Sequence, residues 1–220
     1  MKIKTIDLSR KYQIGSNEIT ALNQINIEIN RADFVVISGP SGSGKSTLLN
    51  LLGLNDVPTS GKVFLNDLDS SLLSSKERRR TRLSHIGFIF QNFNLLSILT
   101  ACENVELPMA LAGISQNEQR KRALGLLEEV GLSERIFHRP KELSMGEMQR
   151  VAIARALANE PEIVIADEPT GELDSKTAKE IVDLLISINR KQGTTIIIAT
   201  HDEGIVRTGK KIYELIDGKI

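Results

Sequence analysis

Gly39-Pro40-Ser41-Gly42-Ser43-Gly44-Lys45-Ser46, with Thr47 behind it, has the spacing G-x-x-x-x-G-K-[ST]. These residue types at this spacing make a cradle for phosphate: glycines let backbone N–H groups approach the oxygens, and the Lys45 ammonium pairs with the terminal phosphates. Ser46 supplies a hydroxyl suited to magnesium. Further along, two adjacent acids, Asp167 and Glu168, close the apolar run Ile163-Val164-Ile165-Ala166, and a helix-capping spelling, Ser144-x-x-Glu147, opens another segment. Such a cap satisfies the free N–H groups of a helix start, and the same geometry binds an anion.

Those residues need elements to hold them. Phe34-Val35-Val36-Ile37 is a continuous apolar run just ahead of the glycines, as expected of a strand covered on both faces. Similar runs at 163–166 and 196–199 stand beside helical segments at 151–158 and 178–189, and a third helical segment, 45–52, follows the glycines. The pattern predicts an α/β fold with a parallel core sheet. Residues 2–8 and 23–29 instead alternate polar and apolar positions, the mark of half-exposed antiparallel strands. From 100 to 158 the pattern turns helical, with capping-box spellings at Thr100-x-x-Glu103, Ser115-x-x-Glu118 and Ser144-x-x-Glu147, a stop at Gly131 and a break at Pro140. That stretch reads as a mainly helical insertion, and no linker long enough to part independent domains interrupts the chain.

Taken in order, the glycine-rich loop, Gln91 after the strand at 86–90, Leu143-Ser144-Met145-Gly146-Glu147, the apolar strand ending in Asp167-Glu168-Pro169, the run Gly171-Glu172-Leu173-Asp174, and His201 after 196–200 resemble the ABC ATPases. The resemblance covers essentially the whole chain. It implies one domain of the P-loop NTPase (RecA-like) type: residues 1–91 and 159–220 form the core with an N-terminal antiparallel β subdomain, and 92–158 an inserted α-helical subdomain. It implies ATP and Mg2+ as ligands. Gly39, Ser41, Gly42, Ser43, Gly44, Lys45, Ser46 and Thr47 would hold the phosphates, and Tyr12, ahead of the second strand, would stack on adenine. Magnesium would be held by Ser46, Gln91 and, through water, Asp167. Glu168 would act as general base toward the attacking water, with His201, Gln91 and Lys45 completing the catalytic set. Ser144, Gly146 and Glu147 would meet the γ-phosphate bound by a second copy, so that two chains enclose two ATP, and Asp174 would sit in the loop linking the two sites. Met145 stands where the family usually has glycine and Met148 where it usually has a polar residue. The Met145 side chain either obstructs close approach to phosphate or points away.

Gln91-x-Phe93-Asn94-Leu95, Glu103-Asn104-Val105-Glu106-Leu107-Pro108 and Asp167-Glu168-Pro169-Thr170-Gly171-x-Leu173-Asp174 are similar to one branch, the ATPases of lipoprotein-release and macrolide-export transporters. That likeness implies an integral membrane permease subunit as partner, whose coupling helix reaches residues 92–109. Phe93, Leu95, Leu96, Ile98 and Leu99 suit either that groove or subdomain core.

Bulk properties narrow the setting. Lys plus Arg and Asp plus Glu are both 28, so no net basic field draws the 220-residue chain to nucleic acid, and none is expected as partner. The single cysteine, Cys102, excludes an internal disulfide and a Cys-cluster metal site, and is expected to be a small packed residue in a reducing compartment. No apolar run reaches the roughly 18 to 20 residues of a membrane span, and Met1-Lys2-Ile3-Lys4 lacks a signal-peptide core. A cytoplasmic location, peripheral on the inner face of the membrane, is therefore expected. Asp217-Gly218 spells a hairpin turn, beyond which the last strand is expected to be shorter than in relatives. The run Lys76-Glu77-Arg78-Arg79-Arg80-Thr81-Arg82 reads as a solvated helix face or as a contact for anionic lipid. His85 and His138 read as packing or surface residues. The competing function is a soluble ABC ATPase of repair, assembly or translation, although its usual zinc modules, long coiled coils or tandem second cassette are missing. A small GTPase is disfavoured because no N-K-x-D occurs, and a nucleotide clamp without turnover because Lys45, Gln91, Glu168 and His201 occur together.

Overall fold

The computed structural model describes residues 1–220, the Ile14 side chain excepted. An antiparallel sheet opens the chain: β1 (Ile3–Ile14), β2 (Asn17–Ile25) and β3 (Glu28–Ile29). The glycine-rich loop joins β4 (Phe34–Ser38) to α1 (Lys45–Leu52), and β5 (Ser60–Leu65) and β6 (Leu68–Asp69) then return to the first sheet. Next come α2 (Ser75–His85), β7 (Ile86–Ile89), and three helices, α3 (Ala101–Leu111), α4 (Gln116–Glu129) and α5 (Met145–Leu157). The chain finishes through β8 (Ile163–Asp167), α6 (Ser175–Gln192), β9 (Thr195–Thr200), α7 (Glu203–Val206) and β10 (Lys211–Glu214).

The second sheet has the order β10-β4-β9-β8-β7, and every neighbouring pair in it is parallel. Its inner strands β4, β8 and β9 are largely apolar because both faces are covered, whereas the edge strand β10 begins at Lys211 and ends at Glu214. Val36, Val164, Ile196 and Ile198 pack with α5 and α6, while Val35, Ile37, Ile165 and Ile197 pack with α1 and the antiparallel sheet. Burying each such side chain contributes about 1.5 to 3 kcal/mol, so the sheet is the stiffest base available for a site. Its strands β4, β8 and β9 all end at the edge where the candidate residues stand.

Three expectations need correction. The first strand, expected over 2–8, runs on to Ile14 and turns at Gly15-Ser16 into β2, so that Tyr12, ahead of the second strand as expected, lies within β1 opposite Ile19. The extension escapes notice because Lys11, Gln13 and residues 15–20 are all exposed, and alternation needs one buried face to show itself. The predicted strand at 23–29 is interrupted by Gln24 in the left-handed region (φ 54°), and β2 and β3 pair with different stretches of β1. The Ser115 capping box does not form: Ser115 makes no side-chain cap, and Glu118 instead takes the Arg122 guanidinium at 2.6 Å, one turn along α4. The boxes at Thr100 and Ser144 both close, Gly131 (φ 77°) follows α4, and Pro140 opens a short 3-10 turn. Asp217 and Gly218 (φ 48° and 71°) make the expected tight turn, closed by a bridge between Ile216 and Lys219.

Candidate functional site

The loop from Gly39 to Gly44 is shaped by contacts only glycine permits. A Cβ on Gly44 (φ 105°) would stand 2.5 Å from the Ala21 carbonyl, and one on Gly39 would stand 2.1 Å from that of Leu215. Lys45 is buried, and its ammonium donates to the carbonyls of Gly39 at 2.8 Å and Pro40 at 3.0 Å, folding the loop around its own side chain. Lys45 Nζ also lies 3.6 Å from Glu168 Oε1. That carboxylate meets His201 Nδ1 at 2.9 Å, so lysine, glutamate and histidine form one row.

Glu168 is held in an unfavourable backbone conformation. Its φ is 44°, a region that costs a non-glycine residue about 1 to 2 kcal/mol. The turn repays this by donating Glu168 N–H to Ala199 at 2.9 Å and accepting Gly171 N–H at 3.1 Å. Next to it, Asp167 takes a hydrogen bond from Ser46, while its Oδ1 is buried with no partner. Burial pushes this carboxyl above its ordinary value, Glu168 adds to the rise, and Ser46 and Lys45 oppose it. An orphaned carboxylate oxygen beside a serine hydroxyl is the donor set of a hard divalent cation, so these residues fit magnesium. Gln91 stands exposed at the same edge, donating from Nε2 to Glu172 at 3.2 Å and packing over Gly171.

These groups share one cavity of about 660 Å³ with Tyr12, Ser41, Gly42, Thr47 and the turn at Asp217-Gly218. Ser43 is buried in the loop, with its hydroxyl unpartnered. Tyr12 is pinned at its phenol by Asp56, 3.0 Å away, and one ring face is covered by the Arg10 guanidinium at 4.5 Å. The opposite ring face remains for a planar ligand.

The other set stands apart. Ser144 caps α5, accepting from Glu147 N–H at 3.2 Å, and the Glu147 carboxylate returns to Ser144 N–H at 2.8 Å and to Arg135 at 2.9 Å. Gly146 lets α5 approach α6, since a Cβ there would stand 2.6 Å from the Thr177 methyl. Asp174 caps α6 through Lys176 and Thr177 N–H groups. Ser144, Met145, Gly146, Glu147 and Asp174 line a separate cavity of about 550 Å³, which shares no residue with the first. Met145 is 52% exposed there, whereas Met148 packs against the core.

Residues 22–171 match the family described as ABC transporter. The chain belongs to that family. Among its relatives, an uncharacterized ABC transporter ATP-binding protein of Methanocaldococcus jannaschii, MJ0796, is 47% identical over 99% of this chain and 94% of its own length. The macrolide export ATP-binding/permease protein MacB of Vibrio parahaemolyticus is 45% identical over 99% of this chain, which spans only 33% of that protein. A solved dimer of the MJ0796 cassette, described as a post-hydrolysis state bound to ADP and Pi, superposes with a TM-score of 0.92 at 44% identity, covering 99% of this chain and 96% of that one. The ABC cassette is a P-loop ATPase, and this chain is an ATP-binding ATPase of that kind.

Four residues of the neighbourhood were given no role by the sequence. Glu172 holds Gln91, Asp56 holds Tyr12, Gln149 donates to the Pro169 carbonyl at 2.6 Å, and Arg155 donates to the carbonyls of Phe93 and Asn94. Glu172 stands inside the run Gly171 to Asp174, and Arg155 is a lone cation inside the apolar stretch Val151 to Leu157; Asp56 and Gln149 left no such trace. His85 pairs with Glu162 at 3.2 Å, and the His138 carbonyl accepts from Ala101, both away from the cavity. Cys102 is buried, and burial pushes its thiol up to about 11, which leaves it a packed residue.

Proposed function

We propose that two copies of this chain close around two ATP and so drive a separate membrane permease, of lipoprotein-release or macrolide-export type. The observation that carries this reading is the division of the site. The phosphate cradle and the capped start of α5 occupy separate cavities of one chain, and each offers half of what a triphosphate needs. The dimeric MJ0796 cassette supports it, as does the similarity to MacB, which carries ATP-binding and permease parts in one protein.

In this reading residues 1–91 and 159–220 hold the nucleotide, and 92–158 carries Ser144 to the partner's phosphates. Lys45 leaves the carbonyls of Gly39 and Pro40 for the β- and γ-phosphates, which are stronger acceptors. Glu168 takes the proton of the attacking water, and His201, already 2.9 Å from that carboxylate, keeps the base and the water in line. Ser46, Gln91 and, through water, Asp167 would hold magnesium, which supplies neutralising charge to the phosphates. Tyr12 offers its free face to adenine. Among the described residues no helix is long and apolar enough to cross a membrane, and in this reading the chain docks against the permease from the cytoplasmic side.

The test is recovery of the tagged chain from detergent-solubilised membranes of its source. A stoichiometric polytopic protein is expected with it. Recovery only from the soluble fraction, with repair, assembly or ribosomal factors, would move the function to the soluble ABC class while leaving the ATPase intact.

A further inference from the structure

Among the described residues α2 is the one α-helix that buries no side chain. Its start is closed by a capping box, in which Ser74 N–H donates to the Glu77 carboxylate at 2.8 Å and Ser74 Oγ accepts Glu77 N–H at 3.3 Å. The cap occupies the single acid of this helix and leaves five cations, Lys76, Arg78, Arg79, Arg80 and Arg82. None of the five has a carboxylate within 4.0 Å among the described residues. Elsewhere, by contrast, Arg10, Arg120, Arg122, Arg135, Arg150 and Arg207 each meet a carboxylate.

The cations also oppose one another. Lys76 and Arg80, like Arg78 and Arg82, stand four positions apart, where like charges destabilise a helix by about as much as an ion pair stabilises it. Burial lowers the Arg82 pKa, and Arg78 and Arg79 lower it further. Arg82 donates to the Leu54 carbonyl at 2.7 Å, which ties α2 to the turn after α1. Acids and bases balance over the whole chain, so the excess belongs to this helix and not to the molecule. A helix that buries nothing and repels itself gains stability from a surface that brings negative charge to it.

Two observations select a bilayer as that surface. Exposed leucines flank the cations: Leu72, three positions ahead of α2, is 76% exposed, and Leu111, which shares a cavity wall with Lys76, Arg79 and Arg80, is 69% exposed. Leucine offers a nucleic acid neither stacking nor hydrogen bonds, whereas among lipid headgroups it buries apolar surface. The same wall holds Leu107 and Pro108, so α2 lies on the face where residues 92–109 are proposed to meet the permease. We propose that α2, with Leu72 and Leu111 beside it, rests on the surface of an anionic bilayer, its cations pairing with headgroup phosphates. The choice of a membrane rests on the transporter reading, and the contact adds a lipid surface that needs no residue of the permease.

The experiment uses the full chain without any permease, sedimented with vesicles of phosphatidylcholine alone or of phosphatidylcholine mixed with phosphatidylglycerol. Each Lys or Arg close to an anionic surface strengthens binding roughly fivefold, so the cations of α2 should give a preference of roughly 100-fold or more for the mixed vesicles at low salt. In wild type that preference should fade at about 1 M salt, where the Debye length is about 3 Å. Combining Lys76→Gln, Arg78→Gln, Arg79→Gln and Arg80→Gln keeps helix propensity, and should abolish the preference while basal ATP hydrolysis is unchanged. Leu72→Ser keeps every charge and should weaken binding to the mixed vesicles by roughly tenfold. Equal binding of wild type to both vesicles, a preference that survives salt or the quadruple variant, or undiminished binding by Leu72→Ser would each overturn the inference. Tighter binding to single-stranded RNA than to mixed vesicles, at equal phosphate concentration, would overturn it in favour of nucleic acid. If the chain recovers a polytopic partner from membranes but shows no lipid preference, this inference fails alone. A lipid preference without any polytopic partner would remove the transporter reading and leave the lipid contact standing.

Discussion

Asp167 and Glu168 are chain neighbours set among different partners, and each supports a different prediction. Burial raises the Asp167 carboxyl, so the folded chain holds that proton more tightly than the unfolded one. The corresponding stability is complete below the ordinary aspartate value, near pH 4, and is lost as pH rises through the raised value. Asp167→Asn is therefore expected to melt above wild type at neutral pH without nucleotide, the gap closing toward pH 4, while magnesium-dependent hydrolysis disappears. Scanning calorimetry at both pH values and a turnover assay check this, and a lower neutral-pH Tm in the variant would refute it. Glu168 lies 2.9 Å from His201 and 3.6 Å from Lys45, at the place where the proposed reaction needs its base. Glu168→Gln should lower kcat by about 10² to 10⁴, some 3 to 5 kcal/mol of barrier, with ATP binding retained. Near-normal turnover would remove it as the base. A third residue acts through the same turn: buried Gln149 donates to Pro169, next to Glu168, at 2.6 Å. Gln149→Met leaves that carbonyl unpaired, and is expected to lower kcat with little change in KM for ATP. A rise in KM alone would show that the bond serves binding instead.

At the scale of elements, α5 deserves comparison with α3 because both begin with the same closed capping box. Thr100 and Ser144 each accept the N–H of the glutamate three positions on, at 3.2 Å in both helices. Replacing either by alanine should therefore cost about the same stability, 0.5 to 2 kcal/mol, a fall of some 2 to 4 °C in Tm per kcal/mol. Only Ser144→Ala should also reduce ATP hydrolysis, because only that helix end lies open in a cavity rather than beside His138. Equal activity in the two variants would reduce Ser144 to a structural cap. This helix also marks how far the sequence could be read. Its apolar stripe, its cap and its place ahead of β8 were legible because they are local patterns. The contacts of Gln149 and Arg155 were not, since they join residues 20 and 62 positions apart. The same limit applies to β1, whose outer half has no buried face to set a rhythm, and to Ser115, where the spelling of a cap was present but Arg122 had first claim on Glu118.

For the whole molecule, the resemblance to the ABC ATPases implied a site in two halves, and in one chain the two sets of residues line separate cavities. Strands β4, β8 and β9 bring Lys45, Glu168 and His201 to one sheet edge, while α5 carries Ser144 to a cavity that touches none of them. In the proposed closure between two copies a phosphate meets the start of α5, where Met145 is 52% exposed. Two effects then compete. An exposed thioether chain beside that helix end gains little from a phosphate and obstructs its approach, whereas the same chain buried against a second copy would add apolar contact. The unpartnered N–H groups of a helix start favour an anion by about 0.3 to 1 kcal/mol when exposed and up to about 2 when partly buried, and close approach is what realises the larger figure. Met145→Gly is accordingly expected to form the ATP dimer at lower nucleotide concentration. Light scattering across an ATP titration, both proteins carrying Glu168→Gln so that nucleotide is not consumed, measures this directly. Equal dimer fractions would mean that Met145 swings clear of the phosphate, and a weaker dimer that its side chain is part of the contact between copies.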